Sequence, residues 1–195
     1  MSHTRNDIQA NNRTDEIVRG LRRGDTMAQR QFLQLYAPAV FALIACLTPN
    51  SLDAEELTQD SLLRAIVHID SYDPALASLS TWISRIAYRT ALNNLRNHPR
   101  PTLSLDNNPD ISLQADEKTV QDFLQNSDDS MTELLRQAID YLPPDEQTLL
   151  NLFYFDNLPL KDIAFIMEAP PGTLATRLHR IRKKLYSLIL TLQQQ

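Results

Sequence analysis

The chain has almost no glycine: three residues in 195, at Gly20, Gly24 and Gly172. Loops that cradle phosphate with bare backbone need several glycines close together, and tight two-residue hairpins need one at a positive-φ position. The scarcity therefore argues against most nucleotide-binding enzymes and most β-rich folds. Cysteine is scarcer still. Cys46, the single thiol, has no intrachain partner and lies in the apolar run 40–47, where it reads as a small buried hydrophobe rather than a reactive group. The four histidines, His3, His68, His98 and His179, are scattered and offer no metal-ligand spacing, so neither a metal nor another cofactor is expected. Residues 1–7 lack the apolar core of a signal peptide. No uninterrupted apolar run approaches a bilayer span, so the expectation is a cytoplasmic protein without membrane insertion.

What is present is enough apolar material, 43% of residues, to build two modest cores, and an uneven charge distribution. The formal net charge is -5. Its placement says more than its sum. Residues 71–101 carry four basic side chains and one acidic, and residues 171–195 carry five and none. Between them, residues 102–131 carry one basic and seven acidic side chains, and residues 132–170 two and seven. Two cationic segments on an acidic background suit two surfaces that face phosphate while others face something else.

Hydrophobic periodicity reads as helix throughout. From Asp15 to Leu47 the pattern is helical with a break at Gly24-Asp25, where Asp25 can cap the second helix, and Phe32, Leu35, Tyr36, Ala39, Val40, Leu43 and Leu47 form its expected core stripe. A third helix runs from about Asp53 to Ile69, with Leu57, Leu62, Ile66 and Ile69 inward and Asp53, Glu55 and Glu56 at the end that the helix dipole favours. A turn at residues 70–74 precedes a fourth helix from about Ser80 to Asn97. Residues 98–130 are rich in Pro, Asn, Asp, Ser and Gln and read as an acidic linker, with a short helix near 115–124 as an option. In the C-terminal part, Leu134, Leu135, Ala138, Ile139 and Leu142 belong to one helix, ended by Pro143-Pro144, and residues 145–155 to the next. A short helix at 159–167, a turn at 168–170 and a longer basic helix at 171–192 then make a helix-turn-helix pattern. The expected fold is all-α, with an N-terminal helical bundle over 15–97, a flexible linker over 98–130 and a helix-turn-helix domain over 131–192.

Two helix faces stand out chemically. At about 100° per residue, Trp82, Arg85, Arg89, Asn93 and Arg96 fall in one arc of the fourth helix, and no acid within that helix offsets the arginines. For a lone helix a solvated face with Trp82 half tucked in is the blander account. In the last helix, Leu174, Leu178, Ile181, Leu185 and Leu188 form an apolar seam, beside which Thr173, Thr176, Arg177, Arg180, Lys183 and Lys184 share an arc. Hydroxyls at the start and cations further along suit first turns in a major groove with phosphates held behind, better than a mixed-sign surface helix does. The third-helix carboxylates have no histidine, lysine or phosphate-binding neighbour in sequence, so they read as a docking surface for a cationic partner and not as acid-base catalysts.

These motifs together resemble the bacterial sigma-70 family, specifically the small two-domain extracytoplasmic-function (ECF) sigma factors, over about 15–100 and 131–190. Residues 53–65, DAEELTQDSLLRA, resemble the family's region 2.2. That resemblance implies that Asp53, Glu56, Gln59, Asp60 and Arg64 bind core RNA polymerase at the beta-prime clamp helices. Residues 72–87 resemble regions 2.3 and 2.4, implying that Tyr72, Trp82, Arg85, Arg89, Asn93 and Arg96 hold the -10 element. Residues 142–150, 160–164 and 171–185 resemble region 4, which implies that Thr173, Thr176, Arg177, Arg180, Lys183 and Lys184 read the -35 element. The implied partners are core polymerase, including its beta subunit, promoter DNA and, as a further candidate, an anti-sigma factor; the implied protein is not an enzyme. The chain departs from the family at Glu168-Ala169-Pro170, where Gly-Ile-Ser is usual, and at Ala175, Asn93, Ala77 and Leu79, which stand for Lys, Asp, Gly and Phe. A stand-alone helix-turn-helix regulator and an adaptor that sequesters a transcription factor remain the alternative readings.

Overall fold

The computed structural model describes residues 3–48, 50–97 and 129–193. It divides into two compact units, and among the described residues there is no strand. The linker expected over 98–130, with its optional helix at 115–124, lies outside the described residues apart from 129–130, which already belong to a helix.

The first unit holds α1 (His3–Arg22), α2 (Thr26–Leu47), α3 (Ser51–Val67), a 3-10 turn (Ile69–Ser71) and α4 (Leu79–Asn97). Helix α1 starts twelve residues before the expected Asp15, over a polar stretch in which periodicity has no apolar face to register. It ends where Gly24 takes φ +72 and the Asp25 N–H reaches the Gly20 carbonyl at 3.0 Å, a Schellman closure with glycine in the left-handed position. Asp25 then caps α2 as expected, its carboxylate accepting from the Met27 N–H at 2.9 Å. Asn50 caps α3 in the same way through the Leu52 N–H.

Helix α2 is the spine of this unit and packs on α1, α3 and α4. Its buried stripe is Ala28, Phe32, Tyr36, Val40, Leu43, Ile44 and Leu47. Leu35 and Ala39, expected in that stripe, are exposed, and Ile44 replaces them; successive four-residue steps shift the inward line by one flank. Cys46 is only half-buried, with its thiol donating to the Ala42 carbonyl at 3.2 Å, because it lies one position off the inward line. Burying side chains such as Phe32 and Ile44 stabilises the unit by about 1.5–3 kcal/mol each. Among the described residues, α2 is also the one helix long and apolar enough to cross a bilayer by length and composition, with a window of mean hydropathy 1.4. Gln31, Gln34 and Pro38 interrupt its apolar run, and its buried stripe forms the core of the first unit.

The second unit holds α5 (Asp129–Asp140), α6 (Pro144–Leu150), which continues into a π-helical turn (Asn151–Phe155), the start of α7 (Leu160–Met167) and α8 (Pro171–Leu192); residues 165–168 belong to the first unit. Helix α8 buries Leu174, Leu178, Ile181, Leu185 and Ile189 and packs on α5 and α6. The seam ends on Ile189 rather than the expected Leu188, which is half-buried. Between α7 and α8 the chain repeats the closure used after α1: the Ala169 N–H reaches the Ala164 carbonyl at 3.2 Å, and Glu168 takes φ +54. A left-handed residue with a Cβ costs roughly 1–2 kcal/mol, so this turn is tight but strained where the family's glycine would relieve it. Pro171 at the first helical position, with φ already set, starts α8 without a side-chain cap.

The close crossing of α1 and α2 generates a test. A Cβ on Gly20 would collide with the Ala28 side chain, whereas one on Gly172 meets nothing within 4 Å. Gly20→Ala is expected to lower the unfolding free energy by about 1–3 kcal/mol in denaturant titration, and Gly172→Ala to be neutral or to raise it by up to about 1 kcal/mol. Equal tolerance at both positions would contradict this packing.

Candidate functional site

Three surfaces carry the sequence-derived candidates. On α3, Asp53, Glu56, Gln59, Asp60 and Arg64 are all exposed. Helical phase places Leu52, Leu63 and Val67 beside Glu56 and Gln59, and these three apolar side chains are 71%, 59% and 66% exposed. The outer face of α3 is therefore a mixed stripe of carboxylates, an amide and bare aliphatic groups, facing away from a helix whose opposite side is fully packed. Sequence reasoning had looked for charge and missed the aliphatic half. The signal was available: Leu63 and Val67 break the amphipathic pattern by being apolar on the polar side.

The -10 candidates lie on α4 and the loop before it. That loop is held from both ends. Arg22 on α1 donates to the Tyr72 carbonyl at 3.1 Å and stands 3.7 Å from Asp70, while Ser78 caps α4 by accepting from the Thr81 N–H at 3.1 Å. Ala77 and Leu79, which replace the family's Gly and Phe, are both buried. Trp82 and Arg85 are half-buried, and Arg89, Asn93 and Arg96 are exposed. Trp82, Arg85, Arg89 and Asn93 line one groove of about 460 Å³ along α4.

Tyr72 behaves differently from the expectation. It is 7% exposed, so its ring is not offered to a ligand. It instead supports Trp82, ring centroids 5.5 Å apart and tilted by 53°, an arrangement worth about 0.5–1.5 kcal/mol beyond burial. Burial chiefly, with the neighbouring Tyr36, Asp15 and Asp73, raises the Tyr72 hydroxyl pKa above its ordinary value against the opposing pull of Arg22. The hydroxyl therefore stays protonated at neutral pH.

The -35 candidates lie along α8. Thr173, Thr176, Arg180, Lys183 and Lys184 are exposed, and Arg177 is half-buried. The Thr176 hydroxyl donates back to the Gly172 carbonyl at 3.0 Å. Two of the cations meet carboxylates from the first turn of α6: Arg177 pairs with Asp145, and Lys184 with Glu146 at 3.2 Å. These partners lie 32 and 38 residues away in sequence, which is why the local charge count could not reveal them. Both pairs are partly open to water, so each contributes at most about 1 kcal/mol. A phosphate can displace such a carboxylate, and until then the pair holds the cation's side chain in place.

Comparison with known proteins now adds to this geometry. A family model described as sigma-70 region 2 matches residues 32–100, and one described as sigma-70, region 4 matches residues 132–185. The ECF RNA polymerase sigma factor SigW of Bacillus subtilis (strain 168) is 29% identical over 178 residues, covering 86% of this chain and 92% of SigW. The ECF RNA polymerase sigma-E factor of Salmonella typhimurium (strain 14028s) is 30% identical over 176 residues, covering 87% of this chain and 91% of that factor. Among solved structures, the sigma factor RpoE of Bartonella quintana, in complex with the anti-sigma factor NepR, shares the fold at a TM-score of 0.58 and 23% identity, covering 82% of this chain and 95% of that one. With both regions present in order and these relatives matched over more than 90% of their length, the chain belongs to the sigma-70 family as an ECF-type RNA polymerase sigma factor, a component of transcription initiation.

Proposed function

We propose that the protein binds core RNA polymerase through the outer face of α3 and directs it to promoters by holding the -10 element along α4 and the -35 element along α8. The observation that carries this reading is the difference in chemistry between faces: α3 presents carboxylates with exposed Leu52, Leu63 and Val67, whereas α4 and α8 present arginines, lysines and hydroxyls. An apolar and anionic helix face suits a protein surface of opposite charge, and a cationic face beside an aromatic ring suits a nucleic-acid strand.

In this reading Asp53, Glu56, Gln59 and Asp60 set the register on the beta-prime clamp helices, and the aliphatic trio supplies the buried area. Trp82, braced by Tyr72, offers a stacking face for an unpaired base, and Arg85, Arg89, Asn93 and Arg96 follow the backbone of the strand. Thr173, Thr176, Arg177, Arg180, Lys183 and Lys184 engage duplex DNA, the first turn toward base edges and the later cations toward phosphates. Residues 15–97 and 131–192 act as the two modules, and 98–130 ties them together and comes near the polymerase beta subunit. The work is binding, without chemistry of its own, and takes place in the cytoplasm, where the polymerase is. An anti-sigma factor is a further partner in this proposal, by analogy with the complexed Bartonella protein.

Run-off transcription with purified core polymerase tests the assignment. Asp60→Ala is expected to weaken core binding and lower transcript yield at limiting protein. Arg177→Ala is expected to leave core binding intact and to reduce transcription from promoters that depend on the -35 element, by about 10-fold if one charge-assisted contact is lost. Unchanged core binding by the wild-type chain and by a scrambled-α3 control would end the proposal. The net charge of -5 also predicts that the free protein shifts promoter DNA weakly in a gel and that adding core tightens the complex. Tight, polymerase-independent binding would favour a stand-alone regulator instead.

A further inference from the structure

Arg64 belongs to the region 2.2 motif and stands where two surfaces meet: it lines one groove with Asp53, Glu56 and Asp60 and another with the aromatic and cationic side chains of α4. Round the helix it stands about 100° from Leu63 and about 60° from Val67, on the flank of the exposed aliphatic stripe that turns toward α4. Its guanidinium reaches across to α4, where Nη1 donates to the Thr90 hydroxyl at 3.3 Å, while Nη2 lies 3.7 Å from the Asp60 carboxylate one turn earlier. Thr90 is buried, so the anchor on α4 is firm. The Arg64 side chain is nevertheless 52% exposed. It lines the groove of about 460 Å³ together with Trp82, Arg85, Arg89, Asn93 and His68.

We infer that Arg64 is a DNA contact, not a polymerase contact: it binds a backbone phosphate of the strand held along α4. This rests on the -10 reading above and deepens it. The groove also holds Arg85 and Arg89, which share the Glu168 carboxylate at 2.6 and 3.5 Å within the same unit, and Arg64 adds a third guanidinium from α3, so the cations outnumber the carboxylates that face them. The Asp60 pair does not cancel this charge, since an exposed i,i+4 pair contributes at most about 0.5 kcal/mol and yields to a phosphate, which accepts from a guanidinium in a charge-assisted bond. The Thr90 bond fixes the plane of the guanidinium, so little side-chain freedom is lost when the phosphate arrives. With the aliphatic groups of α3 facing outward and Arg64 on the flank nearest α4, one helix serves both partners along adjoining faces.

The experiment uses the full chain with core polymerase and separates two affinities: that of the protein for core, by competition, and that of the assembled holoenzyme for a fork-junction DNA bearing a single-stranded -10 segment, over a range of salt. Arg64→Ala and Arg64→Gln are compared with wild type and with Arg89→Ala. The glutamine keeps a polar amide on a shorter stem and removes the charge, and unchanged core affinity in both variants shows that a shared loss of DNA binding is a loss of charge and not of folding. The expected result is unchanged core affinity with DNA affinity lowered about 10-fold and the salt slope reduced by about 0.7 for the single phosphate lost. Reduced core affinity, with normal DNA binding by the holoenzyme that forms, overturns the inference. Unchanged DNA affinity also overturns it, and Arg89→Ala then says how far: if that variant weakens DNA binding, only the assignment of Arg64 has failed, and if it does not, the -10 reading has failed too.

Discussion

The close approach of α2, α3 and α4 is the constraint on which the first unit depends. Ala54, Ser61 and Ala65 on α3 and Ala87 and Ala91 on α4 are fully buried, and side chains this small let three helix backbones come near one another. The two hydroxyls in the α3 seam create no unmet demand, because Thr58 and Ser61 return their protons to the Ala54 and Leu57 carbonyls at 2.7 and 2.6 Å. A larger residue at any of these points would have to force the helices apart, since interiors packed at this density absorb little extra volume. With the inner faces so committed, the outer face of α3 and the groove side of α4 are held at a set angle, and a protein partner and a nucleic-acid strand can be proposed on adjoining faces of the same small bundle.

Charge is arranged to the same end at the level of the whole chain. An excess of carboxylates keeps the protein from adhering to DNA at large, since sequence-independent binding comes from neutralised phosphates. The cations are concentrated in residues 71–101 and 171–195. In the second unit, α6 lends Asp145 and Glu146 to Arg177 and Lys184, so half-exposed cations on α8 are ordered before any DNA is present. In the first unit, Thr90 does the same for Arg64 and the Tyr72 ring does it for Trp82. Each device lowers the ordering cost of binding while adding little to folding stability.

The sequence made some of this legible and hid the rest for identifiable reasons. The last helix was readable to the residue because Pro171 opens it and an apolar seam runs its length. The break at Gly24-Asp25 was readable because a left-handed glycine and a capping aspartate each leave a local mark. Phase errors arose where one flank looked as apolar as another, as with Leu35 and Ala39 against Ile44 in α2. Tyr72 belongs to the ligand face by motif, but the fold buries it against Trp82, and its carbonyl is held by Arg22, 50 residues away. Arg177 has no acid on its own helix to pair with, and only tertiary structure could bring Asp145 to it. The aliphatic stripe on α3 was visible all along as a violation of the helix pattern, and such violations are where binding surfaces are to be sought.

The central claim is that two faces of one bundle serve two partners in turn. Radical footprinting read by mass spectrometry tests it most directly, applied to the protein alone, with core polymerase, and with core plus promoter DNA. The account predicts that Leu63 and Val67 lose reactivity when core is added, while Trp82, the only tryptophan in the chain, stays reactive until DNA arrives. Protection of Trp82 by core alone, with Leu63 and Val67 unchanged, would contradict it.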